Sequence, residues 1–154
     1  MYRHILLAVD GSAFSEDAAR RGIELAHLLG AKVTVITVTT PWATQFAREL
    51  AVVVPDVVVA EDEYEAKATR AAGNALSPIV VAARAADVPC DPSHRRHAEP
   101  YLAIIEAATK QDCDLILMGS QAAPGMARVL LGSETAKVLA HSKIPVLVYR
   151  KGDV

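Results

Sequence analysis

The sequence predicts an α/β fold of the doubly wound class, in which a five-stranded parallel sheet carries helices on both faces. Three observations support this prediction. Short runs of apolar and β-branched residues alternate along the chain with amphipathic stretches of helical period. The first of these runs is apolar without interruption, as expected of a strand covered on both faces. The length of 154 residues suits one domain with a complete core, so we take residues 1–154 as a single domain.

Composition and charge argue against several classes of function. The chain has 16 Lys and Arg against 18 Asp and Glu and a net charge of −2, so it lacks the overall basic field that holds nucleic acid. The opening apolar run, Ile5 to Val9, is too short for a signal sequence or a membrane span. Two cysteines, Cys90 and Cys113, do not make a disulfide framework. We therefore expect a cytoplasmic protein with neither nucleic acid nor membrane as a partner.

The first quarter of the chain predicts a strand, a helix and a second strand. The first strand is the apolar run from His4 to Val9. The helix begins at Ser15, which supplies a capping hydroxyl, and ends at Gly30. The second strand, Ala31 to Thr39, is rich in β-branched residues. Because parallel strands are joined by right-handed crossovers, the helix must cross one face of the sheet between them.

The middle of the chain is less regular and then strongly helical. The region from Trp42 to Val59 contains a short helix around Gln45 to Leu50 and a proline between two valine triplets, which argues against a central strand. We interpret this region as a surface loop that packs on the fold or on a partner. From Ala60 or Glu61 to Ala86 the composition is helical, and Pro78 is expected to kink or split that helix.

The last part of the chain completes the alternation. Val88 to His97 is a weak strand suited to an edge, because it contains two prolines. The remaining elements are a helix from Pro100 to Lys110, a strand from Asp114 to Met118, a helix from Ser133 to His141 with Ala136, Leu139 and Ala140 inward, and a last strand from Pro145 to Tyr149. The count is five strands alternating with four helices.

The stretch from Leu115 to Ser133 is the strongest candidate for a binding site. An apolar strand stops at the pair Gly119 and Ser120, and a second pair, Gly132 and Ser133, opens a helix. Glycines allow the backbone to approach an anion closely, and a helix N-terminus favours negative charge. The pattern therefore predicts a loop that cradles a phosphate group at the carboxyl edge of the sheet.

Two charged residues accompany this stretch. Asp10 ends the first strand, where doubly wound sheets bind ligands, and it either contacts a ligand or caps the turn with Gly11 and Ser12. Arg128 lies between the two glycine sites and either neutralises a phosphate or is a solvated surface charge. Both alternatives are open for each residue.

Neither a metal site nor a catalytic site is predicted. Cys90, His94 and His97 have the side chains of metal ligands, but strand alternation places His97 on the face opposite the other two. The serines near the glycine sites lack a base at a recognisable spacing, and the chain contains neither a Gly-x-Ser-x-Gly elbow nor a Walker lysine. We therefore expect no efficient catalysis from these residues.

Four segments, in this order along almost the whole chain, resemble the universal stress protein family. They are Ile-Leu-Leu-Ala-Val-Asp-Gly-Ser, Ala-Lys-Val-Thr-Val-Ile-Thr-Val, Asp-Leu-Ile-Leu-Met-Gly-Ser and Gly-Ser-Glu-Thr-Ala-Lys-Val-Leu-Ala-His-Ser-Lys-Ile-Pro-Val-Leu-Val. The resemblance implies the strand order 3-2-1-4-5 and a homodimer paired through the last strand, Pro145 to Tyr149. In one branch of the family it also implies ATP held by a motif written Gly-x2-Gly-x9-Gly-Ser/Thr.

Applied to this chain, that motif departs from the family pattern at one position. Its first glycine falls on Gly119, but its second falls on Ala122, which keeps the backbone N–H and resists a positive φ. The resemblance implies ATP or AMP as the ligand, with Mg²⁺ or Mn²⁺ as a companion. The residues expected to contact this ligand, from the resemblance or from the sequence pattern, are Asp10, Val38, Thr39, Gly119, Ala122, Arg128, Gly132 and Ser133.

Three functions are compatible with the sequence. The first is a small stress-response homodimer that regulates by binding an adenine nucleotide. The second is a stress dimer that binds no nucleotide and acts through protein contacts. The third is a weak ATPase or nucleotidyl-transfer enzyme.

Overall fold

Five parallel strands form one sheet in a computed structural model, which describes residues 1–49, 60–120 and 132–151. The sheet order is β3-β2-β1-β4-β5. The elements are β1 (His4–Ala8), α1 (Ala13–Leu29), β2 (Lys32–Thr39), α2 (Trp42–Glu49), α3 (Glu61–Ala85), β3 (Cys90–Arg96), α4 (Pro100–Lys110), β4 (Leu115–Gly119), α5 (Ser133–His141) and β5 (Val146–Tyr149). The predicted fold class, the implied strand order and the edge position of β3 are confirmed.

Helices cover the sheet on both faces. α1 and α3 pack on one face against Leu7, while α4 and α5 pack on the other against Leu6 and Ile116. Leu6 and Leu7 are neighbours in β1, point to opposite faces and are both 0% exposed. Each such side chain contributes about 2 kcal/mol of hydrophobic stabilisation. This burial on both faces explains why the central strand is a continuous apolar run.

The structure corrects the predicted start of α1. Ser12, and not Ser15, is the N-cap, since its Oγ accepts the N–H of Ser15 at 3.1 Å. The helix can begin there because Gly11, at φ 85°, turns the chain directly after β1. The predicted end is confirmed, because Gly30 is the C-cap at φ 64°.

α5 has the predicted bounds but buries a different side. Thr135 and Val138 are buried, whereas Ala136, Leu139 and Ala140 are exposed, so the predicted inward face is wrong. The hydroxyl of Thr135 donates to the carbonyl oxygen of Gly119 at 3.3 Å, which places this face of the helix against the end of β4.

The two helices in the middle of the chain also differ from expectation. α3 is one helix of 25 residues that contains Pro78 without being split by it. α2 begins at Trp42, earlier than predicted, and the ring of Phe46 lies between Trp42 and Tyr64 at 5.2 and 5.9 Å. The rest of the Trp42 to Val59 region lies outside the described residues. None of the helices in the described ranges is both long and apolar enough to cross a membrane.

Candidate functional site

A cleft of about 390 Å³ opens at the carboxyl edge of the sheet, where the neighbouring strands β1 and β4 end. From β1 the chain connects to β2 on one side, and β4 lies on the other, so the strand order reverses at this point. Ligands of open α/β sheets bind at such a switch point. The cleft therefore lies where the fold favours binding.

Most of the residues expected to contact a ligand line this cleft together. They are Asp10, Val38, Gly119, Gly132 and Ser133. Thr39 is not among the described lining residues, because its hydroxyl lies 2.7 Å from Nε2 of His94 at the edge of the sheet. Ala122 and Arg128 lie outside the described residues.

A compact turn holds Asp10 at the mouth of the cleft. Its Oδ1 accepts the N–H of Ser12 at 2.9 Å, and its own N–H donates to Oγ of Ser15 at 3.1 Å. Partial burial raises the pKa of the Asp10 carboxyl, but the hydrogen bonds from Ser12 and Ser15 outweigh burial and lower the pKa below its usual value. Asp10 is therefore a carboxylate at neutral pH that caps the turn and also lines the cleft.

Three helices direct their N-termini toward the cleft. Ser12, the N-cap of α1, Pro100, the first residue of α4, and Ser133, the first residue of α5, all line it. The first amide groups of a helix have no carbonyl partner within the helix and carry partial positive charge. This arrangement favours a ligand with an anionic group at the polar end of the cleft.

Ser120 organises the second glycine site, although the sequence analysis did not include it among the contacts. Its Oγ accepts the N–H of Gly132 at 2.7 Å, and its own N–H donates to the carbonyl oxygen of Tyr149 at 2.9 Å. The amide of Gly132 is thereby bonded within the protein. The backbone N–H groups that α5 can offer to a ligand are therefore those of its first turn, after Gly132. The sequence signal for this role was the position of the serine, directly after Gly119 at the end of β4.

Glu134 is a second carboxylate of the cleft and was also missed. Its Oε2 accepts the N–H of Tyr101 at 2.9 Å, and its Oε1 lies 3.5 Å from Nζ of Lys137. These contacts tie the start of α4 to α5. Together with Asp10, Glu134 gives the described lining two carboxylates and neither a lysine nor an arginine.

The opposite wall of the cleft is apolar. It is formed by aliphatic side chains from β2, α4 and β4, namely Ile36, Val38, Ile104 and Met118. The ring of Phe14 borders the same space and packs 5.7 Å from the ring of Tyr149. A flat apolar ring fits this wall, and an anionic group fits the helix N-termini. The cleft therefore suits an amphipathic ligand that carries both.

Comparison with known proteins gives one consistent result. The sequence model of the universal stress protein family matches residues 1–150. A universal stress protein of Thermus aquaticus, encoded in the QAH/OAS sulfhydrylase 3′ region, is 30% identical over 150 residues, which is 97% of this chain and 100% of the relative.

Solved structures share the fold at lower identity. A universal stress protein in complex with cAMP is 24% identical, with 98% of each chain covered and a TM-score of 0.66. A universal stress protein from Archaeoglobus fulgidus in complex with dAMP is 21% identical, with 96% of this chain and 97% of the other covered and a TM-score of 0.66.

Proposed function

The chain belongs to the universal stress protein family, and from this premise we propose that it is a cytoplasmic regulatory homodimer that binds an adenine nucleotide, ATP or AMP. One observation carries the proposal. At the carboxyl edge of the sheet, a single cleft joins an apolar wall to the N-termini of three helices. A nucleotide presents the matching pair of groups, a flat base and a phosphate.

The size of the cleft supports a nucleotide. At about 390 Å³ it lies within the range of roughly 300–1,000 Å³ that is usual for small-molecule sites. The base would pack on half-buried Val38 and on the accessible edge of Ile104, and the phosphate would meet the first turn of α5. Two proteins that share the fold hold adenine nucleotides, cAMP and dAMP, which supports an adenine nucleotide as the class of ligand.

The charges of the cleft distinguish between nucleotides. Asp10 and Glu134 repel a phosphate chain, and the repulsion grows with each added phosphate. AMP therefore binds unaided, whereas ATP binds with Mg²⁺ or Mn²⁺, which screens the carboxylates from the chain. Asp10 also lines the cleft, and its carboxylate would accept hydrogen bonds from the ribose hydroxyls.

The test is calorimetric titration of the full chain with AMP and with ATP, each with and without Mg²⁺. We expect saturable heat with AMP in both conditions and tighter ATP binding when the metal is present. The substitution Glu134→Gln should tighten metal-free ATP by about fivefold, which corresponds to the roughly 1 kcal/mol between two charges 4 Å apart in water. Glu24→Gln is the control, since Glu24 pairs with Arg21 on the exposed side of α1.

A negative titration result would favour a different function. Absence of heat and of a thermal shift with both nucleotides at millimolar concentration would contradict the nucleotide part of the proposal. The alternative function, a stress dimer acting through protein contacts, would then be favoured.

The homodimer part of the proposal rests on the outer edge of β5. Ile116 donates to Pro145 and Ser120 donates to Tyr149, so odd-numbered residues of β5 bond to β4. By alternation the N–H and C=O groups of Val146 and Val148 face the free edge. An unpaired edge invites a further strand, and two copies that pair antiparallel about a two-fold axis give a closed dimer.

Light scattering at tens of micromolar tests this edge. Val148→Pro removes an N–H that faces outward and should weaken the dimer while leaving the β4 pairing intact. Val148→Ala is the control, because it shortens the side chain and keeps the donor. A monomeric wild type, or a proline variant that dimerises as strongly, would show that the interface is elsewhere.

A further inference from the structure

A second cleft lies on the other side of α4 from the nucleotide cleft. Its volume is about 220 Å³, and it is bounded by the end of β3 and by one side of α4. α4 separates the two clefts, because Ile104 lines the first whereas Ala103 and Ala107 line the second. The proposed function does not use this second cleft.

The floor and the rim of this cleft have opposite character. Ala103 and Ala107 are one helical turn apart, and their methyl groups leave the space that larger side chains would fill. Arg95 and His97 alternate with Arg96 along the end of β3, so both of them are on the α4 side of the sheet. The result is a small apolar floor surrounded by long polar side chains.

The rim provides cationic groups that have no ion-pair partner among the described residues. Arg95 and Lys110 both line the cleft, and in the described part of the chain neither forms an ion pair. Glu106 is the one carboxylate among the described lining residues. Arg96 also lines the cleft, but its charge is paired, since its Nε lies 3.0 Å from Oε2 of Glu65 on α3.

His97 adds a hydrogen-bond donor. Its Nδ1 accepts the N–H of Glu99 at 2.8 Å, so the neutral ring carries its proton on Nε2. An arginine fork, a lysine ammonium and an imidazole N–H together form a donor set that matches the oxygens of a phosphate group.

We propose that this second cleft binds a small phosphate dianion, either inorganic phosphate or a phosphomonoester. The volume of about 220 Å³ holds a phosphate with a few further atoms, and it is below the roughly 300 Å³ at which sites for larger ligands begin. This site is independent of nucleotide binding and lies at the carboxyl end of a different strand.

Amide-resolved NMR of the full ¹⁵N-labelled chain tests the proposal, with inorganic phosphate and glycerol 3-phosphate as the two probes at constant ionic strength. We expect saturable shifts at residues 95–97 and along α4 with at least one probe, and tighter binding of glycerol 3-phosphate would identify an ester as the ligand. Arg95→Gln should weaken binding by about tenfold or more, as expected for the loss of a charge-assisted hydrogen bond. Lys110→Gln, at the exposed end of α4, provides a second variant if the first folds poorly.

Arg84→Gln is the matched control, because Arg84 is exposed in the last turn of α3 and its loss changes the net charge equally. That variant should bind both probes as the wild type does. Shifts that fail to saturate, that persist unchanged in both cleft variants, or that map only around Gly119 and Gly132 would overturn the proposal.

Discussion

The amino and carboxyl ends of the same sheet are built in opposite ways. At the amino end a side chain satisfies backbone groups, since the Asp114 carboxylate accepts the N–H groups of Arg3 and His4 at 2.9 and 3.0 Å. At the carboxyl end the same strands leave a cleft of about 390 Å³ surrounded by helix N-termini. The amino end thus ties neighbouring strands together, whereas the carboxyl end has the open cleft that the proposed function uses. Substitutions at the two ends should therefore have separable effects.

The amino end also contains a buried network of hydrogen bonds between side chains. Thr34 donates to Oε1 of Gln111 at 2.8 Å, and Nε2 of His4 lies 2.8 Å from the same hydroxyl. Because the Thr34 hydroxyl has one proton, Nε2 of His4 is the donor in their bond. Nδ1 of His4 is then a buried acceptor with no partner in the described part of the chain.

The largest effect is expected from Thr34→Val. Thr34 is 0% exposed, and valine keeps its shape while removing the bonds to His4 and Gln111. The free energy of unfolding should fall by about 2–3 kcal/mol in urea titrations, because a buried donor loses its acceptor. The double variant with His4→Leu should recover most of this loss, since both partners are then apolar. An unfolding midpoint equal to that of the wild type would mean that this network does not stabilise the sheet.

Asp114→Ala is expected to have the next largest effect. It removes the acceptor of two backbone N–H groups, in a partly exposed position, and should cost about 1–2 kcal/mol. Asp114→Asn keeps one oxygen acceptor and should lose about half as much. Nucleotide affinity measured on the same samples should not change, and a parallel loss of affinity would contradict the separation of the two ends.

Gly119→Ala tests the carboxyl end. A Cβ at this position would lie 2.9 Å from Cε1 of Phe14 and 3.1 Å from Cβ of Ala18, so the Phe14 ring that borders the cleft must move. We expect about tenfold weaker nucleotide binding, or roughly 1.4 kcal/mol, with a loss of stability of about 1 kcal/mol. Gly73→Ala is the control, since its Cβ would have no neighbour within 4 Å. Wild-type affinity in the Gly119 variant would place the ligand elsewhere.

The smallest effect is a pH dependence at the amino end. Burial, and then the charge of Lys32, lower the pKa of His4 from its usual 6.5. His4 therefore binds a proton more readily in the unfolded state than in the folded state. Its contribution to the free energy of unfolding is fully present above about pH 6.5 and is lost as the pH decreases below that value. Urea midpoints at about pH 7.5 and about pH 5.5 should differ less in His4→Leu than in the wild type. An equal difference in both proteins would assign the acid sensitivity to other groups.

The parts of the fold that were predicted correctly are those whose signal is local. β1 and β4 were located to within one residue because they are apolar runs that stop at turn residues. α4 was predicted with its observed bounds because Pro100 occupies its first turn, where a missing N–H costs nothing. The pairing order followed from the family resemblance, since periodicity alone does not choose between sheet orders.

The parts that were missed depend on contacts between distant segments. α5 buries Thr135 because its hydroxyl reaches Gly119, 16 residues away, and a buried polar side chain gives no apolar signal. Glu134 enters the cleft because Tyr101 donates to it across 33 residues. Ser12 and Ser15 are both plausible caps, and the choice depends on Gly11 turning the chain after β1. The residues that the start of α5 contributes to the lining of the cleft were therefore the least predictable.

The central position of β1 has a consequence for how the chain is made. β1 pairs with β2 on one side, but its partner on the other side is β4, with Ile5 opposite Leu115. The ribosome delivers β4 about 110 residues after β1, a delay of roughly 5–20 s at typical rates of synthesis. Throughout that interval an apolar strand has one unpaired edge, and long-range parallel pairing closes slowly. The sheet can therefore close around β1 only after β4 has been synthesised, so the order of synthesis sets when the central strand is protected.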